Sequence, residues 1–357
     1  MNDTRVAITI STMNRPDFII RTMNYYAKMQ SPHPLYLADS SNPENARIIK
    51  THIKNLQGKL EVKYFWCPPK LDNTEMLLSH VKEDYAVING DDDYEIPSSL
   101  TKCAEFLENN PDYASAGGYS VTFRLKSSGP YGEISRLADY RWYPLEAGVA
   151  SQRLTDFVKN SFVITFGVNR VEHLKKMWVG GPISMITNWN ELIQNCYCAV
   201  SGKSKLIDCL SCVRHIHDRQ HHDDNLIDWI TSKDFYNSYA SFRGHVANKI
   251  MEMDNIPLDR AERAVKYSFL ECLRGYMALD WQGQENKPRS PKSWSVFKKL
   301  RSDAGATFPI LKTIYRSLIR PLITNKKQLH YEVLQQNSKY YKDFKPVMDS
   351  FTGKLDL

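Results

Sequence analysis

The sequence predicts an α/β protein with a Rossmann-like, mostly parallel central sheet flanked by helices, followed by a helical C-terminal extension. Strand-like and helix-like segments alternate over the first 120 residues with short links, which favours right-handed β-α-β units. Acidic residues directly follow the second and fourth predicted strands. Beyond residue 223 the apolar pattern becomes helical. These patterns indicate a ligand crevice at the carboxyl ends of the strands.

The predicted elements follow one another regularly along the first 120 residues. The run from Val6 to Ile10 is short, apolar and rich in β-branched residues, as in a strand that is covered on both faces. Pro16 suits the first turn of the helix that follows. The remaining predicted elements are strands at 35–38, 60–66 and 85–88 and helices over 73–81 and from Pro97.

The rest of the chain is less regular. Residues 118–165 lack clean periodicity and predict a loop-rich or antiparallel stretch, after which 206–213 resembles a strand. Helical patterns follow within 224–241 and 258–279. The predicted domains are 1–230, with halves at 1–110 and 111–230, a helical extension at 231–284, and a basic linker, amphipathic helix and tail at 285–357.

Composition excludes several classes of protein. A mean hydropathy of −0.48 and the lack of any apolar run near the ~18 residues of a membrane span argue against an integral membrane protein. The first residues lack a basic start and a long apolar segment, which predicts a cytoplasmic rather than a secreted protein. The seven cysteines are predicted to be buried reduced thiols and not a zinc site.

The positive charge of the chain is local. Residues 286–327 hold eleven lysines and arginines against the single acid Asp303, although the whole chain carries only +7. This confinement argues against a nucleic-acid partner. Within the segment, 309–327 includes an apolar stripe with basic residues at four-residue spacing. The pattern predicts a helix on an anionic membrane surface or, as the alternative, a helix that docks on protein.

Three consecutive aspartates, Asp91 to Asp93, follow the fourth predicted strand. Like charges this close repel one another unless a cation lies among them. A hard divalent cation such as Mg²⁺ or Mn²⁺ would remove that repulsion and could bridge to phosphates. The alternative is a solvated acidic turn that caps the next helix.

Three segments in register extend this interpretation. The runs Ile8–Pro16, Leu37–Asn42 and Ile88–Asp93 together resemble family 2 glycosyltransferases of the GT-A fold over roughly residues 5–110. The resemblance implies a GT-A type sheet, a nucleoside-diphosphate-sugar donor and a DxD-type metal motif. UDP-sugars are the commonest donors in that family.

The resemblance also implies roles for individual residues. Asp39 would contact the base, Asp93 would be the most direct metal ligand, and Asp91 would also lie near the ribose. Further nucleotide-sugar contacts are implied for Thr12, Asn14, Arg15 and Asp92. Purely structural roles stay open for three of these residues. Asn14 could cap a helix, Arg15 could pair with a surface acid, and Asp39 could form a turn with the two serines after it.

The second half of the resemblance is looser. The runs Phe166–Arg170 and Gly180–Ile183 are similar to the acceptor-side segment before the family's catalytic acid. That acid would be Glu191, acting as the general base on the acceptor hydroxyl. The family often has Glu-Asp here, whereas this chain has Asn190 and Glu191. Weaker candidates for the base are Asp208 and Glu172.

A basic segment follows the last predicted strand. The family similarly places an Arg-x-His or a nearby His here, so the resemblance implies that Arg214 neutralises phosphate charge. His215 or His217 would complete the metal shell, with His217 preferred.

The predicted function is therefore a metal-dependent, inverting glycosyltransferase that uses Mn²⁺ or Mg²⁺. It would move a sugar to a hydroxyl of a glycan or lipid-linked acceptor, and residues 309–327 would contact the membrane surface. A sugar nucleotidyltransferase is one alternative, although residues 11–15 lack the glycines of a triphosphate loop. A non-catalytic binding or scaffold protein on the same fold is the other.

Overall fold

The structure confirms the predicted α/β class. It is a computed structural model that describes residues 4–68, 73–160, 162–177, 187–219, 226–285 and 329–354. The strands are β1 (Val6–Thr12), β2 (Leu35–Asp39), β3 (Val62–Trp66), β4 (Tyr85–Gly90), β5 (Tyr94–Glu95), β6 (Tyr113–Leu125), β7 (Ile134–Tyr140), β8 (Val168–Arg170) and β9 (Lys203–His215). The helices are α1 (Pro16–Lys28), α2 (Pro43–Asn55), α3 (Asn73–His80), α4 (Pro97–Glu108), α5 (Ala150–Asn160), α6 (Val171–Lys176), α7 (Thr187–Ser201), α8 (Leu226–Ile230), α9 (Phe235–Asp254), α10 (Leu258–Glu285), α11 (Leu329–Glu332) and α12 (Tyr341–Phe351).

A mixed, mostly parallel sheet forms the centre of the fold. Its strand order is β3-β2-β1-β4-β8-β6-β9-β5, with β7 paired to β6. β1 to β4 are parallel, and β9 runs parallel to β6, whereas β5, β7 and β8 pair antiparallel with their neighbours. Thr12 pairs with Asp39, and Ser11 pairs with Gly90. The residues that follow β1, β2 and β4 therefore share one edge.

The first helix shows why these elements form where the sequence predicts them. Pro16 occupies the first turn of α1, with Asp17 beside it, where a negative charge suits the helix dipole. The helix buries one face against the sheet, including Phe18, Ile19 and Met23. β1 is buried along most of its length, as expected for a strand covered on both faces.

The region predicted to be loop-rich or antiparallel contains both antiparallel strands and a helix that the sequence did not reveal. β6 and β7 form an antiparallel pair. α5 follows, and its first two backbone N–H groups, at Ala150 and Ser151, donate to the carboxylate of Asp254 at 2.5 and 3.0 Å. Because this cap comes from about a hundred residues further along the chain, no local capping signal marks the start of α5.

The chain divides into two compact units. Met1–Glu271 and Leu329–Leu357 form the first, and Cys272–Gln328 form the second. Of the second unit the structure describes 272–285, the last part of α10. The predicted domain limits stay a prediction, and the segment 309–327 lies outside the described residues. None of the helices in the described part of the chain has the length and apolarity that a membrane span needs.

The cysteines agree with the expectation of reduced thiols. All seven are buried, and none forms a disulfide. They pack as small apolar side chains in the interior.

Residues 329–354, which we name the C-terminal strap, pack into the core of the first unit. Phe351 is completely buried, and its ring stacks on that of Phe123 with centroids 4.5 Å apart. Its carbonyl accepts a hydrogen bond from the N–H of Gly132 at 2.8 Å. The hydroxyls of Ser350 and Tyr94 are 3.0 Å apart. The sequence indicated only a tail here, because the partners of these side chains lie more than two hundred residues earlier.

We expect the substitution Phe351→Ala to lower the free energy of unfolding by about 3–5 kcal/mol, because it leaves a cavity beside Phe123. Urea denaturation measures the change. Leu334→Ala is the matched control, since Leu334 is exposed on the same strap and should change stability by less than about 0.5 kcal/mol. Equal effects of the two substitutions would contradict the packing of the strap.

Candidate functional site

Asp91, Asp92 and Asp93, which we name the aspartate cluster, lie between the end of β4 and the start of β5. All three are almost completely buried. A buried carboxylate without partners costs several kcal/mol, so the cluster must be compensated by the groups around it. Those groups come from the ends of β1 and β9 and from α1.

Asp91 and Asp92 are compensated from the first strand and from the segment after β9. The hydroxyl of Thr12 donates to Asp91 Oδ2 at 2.7 Å, and the Arg15 guanidinium donates to Asp91 Oδ1 at 2.5 Å. Arg15 also reaches Asp92 Oδ2 at 3.3 Å, and His217 Nε2 lies 2.8 Å from that same oxygen. The structure thus brings together five residues that the sequence assigned to the site.

Asp93 is held by β9. The backbone N–H of His215 donates to Asp93 Oδ1 at 2.8 Å, and Arg214 Nε donates to Asp93 Oδ2 at 3.2 Å. The Arg214 guanidinium also lies over the rings of Phe166 and Tyr140, 4.3 and 5.1 Å from their centroids. Pairing of β5 with β9 creates this arrangement, because it places the end of β9 beside the aspartate cluster.

Burial makes the aspartate cluster difficult to ionise fully. It raises the pKa of Asp91 to about 7 and that of Asp93 to about 6, and the charge of Asp92 adds to both effects. Burial also opposes the ionisation of Asp92, but the hydrogen bond from His217 and the charge of Arg15 outweigh it and lower that pKa. The cluster therefore favours one firmly ionised carboxylate, and more negative charge on it needs a cation nearby.

Two residues of α1 that were not among the predicted site residues fix the backbone of the aspartate cluster. Arg21 is buried and donates to the carbonyls of Asp92 and Pro130 at 2.5 and 2.7 Å. The Thr22 hydroxyl donates to the carbonyl of Asp91 at 2.8 Å. A signal was present, because helical periodicity places both polar residues in the otherwise apolar, buried stripe of α1.

His217 and His215 contact the aspartate cluster through different groups. Nδ1 of His217 accepts from the N–H of Arg219 at 3.1 Å, so Nε2 carries the proton that is donated to Asp92. The ring of His215 instead stacks on Phe123 with centroids 4.6 Å apart. Burial, followed by the charge of Arg21, lowers its pKa to about 3. The side chain of His217 thus contacts the cluster, whereas His215 contacts it through its backbone.

Asp39 and Asn14 organise the neighbouring loops. Asp39 is fully buried, with Oδ1 accepting from the N–H of Ser41 and Oδ2 from the Tyr64 hydroxyl, each at 2.8 Å. These contacts form the turn that was the alternative prediction for Asp39, and its contact with the base stays a prediction. Asn14 has a φ of 55°, and its side chain accepts from the N–H of Asn42 at 2.9 Å. It therefore ties the loop after β1 to the loop after β2.

Glu191 is the fifth residue of α7, just after its first turn, and its side chain is exposed. It is close enough to Tyr140 for its charge to contribute, after burial, to the raised pKa of that tyrosine. Because Tyr140 also contacts Arg214, Glu191 and Arg214 are both near this tyrosine. Of the weaker candidates for the base, Asp208 accepts from the Tyr340 hydroxyl of the strap at 2.6 Å, and Glu172 lies 3.8 Å from His173.

The types of side chain in the aspartate cluster fit a divalent cation, but their present hydrogen bonds do not leave a formed metal site. Carboxylate oxygens are the preferred ligands of Mg²⁺, and Mn²⁺ also accepts histidine. Within the described ranges, no group of three or more His, Cys, Asp or Glu side chains is arranged to hold a metal ion. A cation at Asp91 or Asp93 would have to displace Arg15 or Arg214. The predicted metal ligands therefore stay a prediction.

Comparisons with known proteins find a partial likeness to solved structures and no other match. No family model matches the chain, and no curated protein matches it. The structure is similar to that of S. aureus TarS, with a TM-score of 0.45 and 12% identity over 74% of this chain and 43% of that chain. It is also similar to TarS 1–349 in complex with UDP-GlcNAc, with a TM-score of 0.48 and 12% identity over 75% of this chain and 72% of that one. The match thus spans less than half of the first TarS structure, and TM-scores this low do not assign a function.

Proposed function

We propose that this chain is a glycosyltransferase of the GT-A type that takes its sugar from a nucleoside-diphosphate sugar. The observation that carries the proposal is the meeting of the buried aspartate cluster with Arg15, Arg214 and His217 at the carboxyl ends of the strands. In open α/β sheets this edge is the usual position for ligands. Closely placed cationic and carboxylate groups suit the recognition of a diphosphate and its counter-cation.

The exposure of these side chains supports a donor site. The side chains of Arg15 and Arg214 are 19% and 21% exposed, whereas those of Asp91 and Asp93 are 0% and 3% exposed. The guanidinium groups are therefore the outer layer, which an incoming anion would meet first. The base would lie toward Asp39, where Asn14 joins the two loops, and a UDP-sugar is the favoured donor.

The proposed chemistry is in-line displacement at the anomeric carbon with inversion. Glu191 takes the proton of the acceptor hydroxyl, and Arg15 and Arg214 stabilise the charge that develops on the departing diphosphate. Mn²⁺ or Mg²⁺, held by Asp93, Asp91 and His217, would supply Lewis-acid stabilisation of that same charge. The acceptor would be a glycan or a lipid-linked hydroxyl. Cytoplasmic location and contact of 309–327 with an anionic membrane belong to the same proposal.

The proposal is tested by isothermal titration of the chain with UDP, GDP, CDP and dTDP, with and without Mn²⁺. We expect one diphosphate to bind clearly more tightly than the other three when Mn²⁺ is present. The matching sugar nucleotide should then be hydrolysed slowly, with water in place of the acceptor. Failure of all four diphosphates to bind would support a non-catalytic protein, and synthesis of a sugar nucleotide from a triphosphate would support a nucleotidyltransferase.

A further inference from the structure

The aspartate cluster is balanced by cations of two kinds. Asp91, Asp92 and Asp93 face three arginines, Arg15, Arg21 and Arg214. Arg21 is 1% exposed and bonded to two backbone carbonyls, so it is fixed in place. The other two arginines are partly exposed, and both donate to carboxylates of the cluster. Arg15 also reaches the carbonyl of Arg219, at 3.4 Å.

We propose that Arg15 and Arg214 are exchangeable counter-ions, which occupy Asp91 and Asp93 in the ligand-free chain and move to the diphosphate when the donor binds, freeing both carboxylates for a divalent cation. The inference rests on the proposed function, because the diphosphate is what draws the arginines away. It also explains why the cluster has the ligand types of a metal site without its arrangement.

The surroundings of both arginines allow such a movement. Arg214 lies over Phe166 and Tyr140, and Arg15 lies 5.6 Å from the centroid of Phe18. A guanidinium group can shift across an aromatic face and still keep a favourable contact. Each arginine can therefore leave its carboxylate without being transferred to bare solvent.

The charge balance makes the two ligands depend on each other. A cation that enters while both arginines remain adds positive charge to a cluster that is already compensated. A diphosphate that takes the arginines without a cation leaves buried carboxylates uncompensated, which is costly. When the cation and the diphosphate bind together, neither cost arises. Each ligand therefore increases the affinity of the chain for the other. Since Mn²⁺ also binds diphosphates directly, coupling in the wild-type chain alone does not test the proposal.

The decisive measurement is the affinity of the nucleotide-free chain for Mn²⁺ alone, by isothermal titration, for wild type, Arg15→Gln and Arg214→Gln. We expect both substitutions to increase Mn²⁺ affinity at least about tenfold, because each frees a carboxylate and removes its counter-charge. The same variants should bind UDP more weakly in EDTA, since they lack a phosphate contact. A residue with a purely structural role would not produce these opposite changes.

Two controls keep the measurement interpretable. Arg219→Gln is the matched variant, because the Arg219 side chain also lies over Phe18 but pairs with Asp17 at 2.8 Å. It should leave Mn²⁺ affinity unchanged. Arg214→Lys keeps the counter-charge and should keep a Mn²⁺ affinity near that of wild type. Thermal unfolding verifies that each variant is folded, and Arg15→Gln alone suffices if Arg214→Gln does not fold.

The two proposals fail in different ways. If UDP and the other diphosphates do not bind the wild-type chain, the proposed function fails, whatever the Mn²⁺ results are. If a diphosphate binds but neither arginine substitution increases Mn²⁺ affinity, the exchange is overturned and the proposed function stands.

Discussion

Replacing Asp93 by asparagine should reduce sugar transfer or donor hydrolysis on the order of 10³-fold, while the chain remains folded. Asparagine keeps an acceptor for the backbone N–H of His215, but it removes the negative charge that faces Arg214. A diphosphate site that depends on that charge would lose both its arginine placement and its affinity for a cation. Rates of sugar release from the preferred sugar nucleotide measure the loss.

The Asp93→Asn variant should be at least as stable as the wild-type chain at pH 8. Burial, followed by the charge of Asp92, raises the pKa of Asp93 to about 6. Between the ordinary aspartate pKa and this value, the folded chain holds a proton that the unfolded chain has released. Ionisation of Asp93 above this range therefore costs folding free energy, and asparagine avoids the cost.

Asp254→Asn is the control for Asp93→Asn. It weakens the cap of α5 and should lower stability by about 1 kcal/mol, while activity is retained. Full activity of Asp93→Asn would contradict the assignment of the aspartate cluster to the donor site.

Glu191→Gln should lower the turnover number by about 10²- to 10⁴-fold, the usual contribution of a general base. Affinity for the nucleoside diphosphate should not change, because Glu191 is placed on the acceptor side. The acidic limb of the pH-rate profile, which reports the ionisation of the base, should disappear in this variant. Steady-state kinetics with the sugar nucleotide, together with titration of the free diphosphate, measure both effects.

Glu172→Gln is the matched control, since Glu172 is also an exposed glutamate near the start of a helix. It should leave turnover unchanged. A loss of diphosphate affinity in Glu191→Gln equal to its loss of turnover would place Glu191 in the donor site and contradict its role as the base.

The first part of the fold was predictable, apart from α2, because its signals are local. Each strand from β1 to β4 is a short apolar run, and Pro16 and Pro97 mark the starts of two helices. The aspartate cluster was predictable for the same reason, since its residues are adjacent in sequence and follow β4. The topology of parallel strands then required the ends of β1, β2 and β4 to lie side by side.

The remaining features depend on partners that are distant in sequence. The cap of α5 comes from Asp254, and Arg21 fixes a backbone turn about seventy residues away. Asp39 illustrates a different difficulty, because an acid after a strand can contact a ligand or form a turn. Only the positions of Ser41 and Tyr64 show that the turn is formed. Periodicity can place Arg21 on the buried face of α1, but it does not identify the distant group that a side chain contacts.

The C-terminal strap has a consequence for how the chain folds during synthesis. Domains usually begin to fold as their N-terminal parts emerge from the ribosome. Phe123 and Tyr94 lie in the first half of the chain, yet Phe351 and Ser350 cover them. During synthesis, the apolar surface around Tyr94 and Phe123 therefore stays uncovered until roughly two hundred more residues have been translated. We expect translation pauses or chaperones that shield this surface to increase the yield of folded protein.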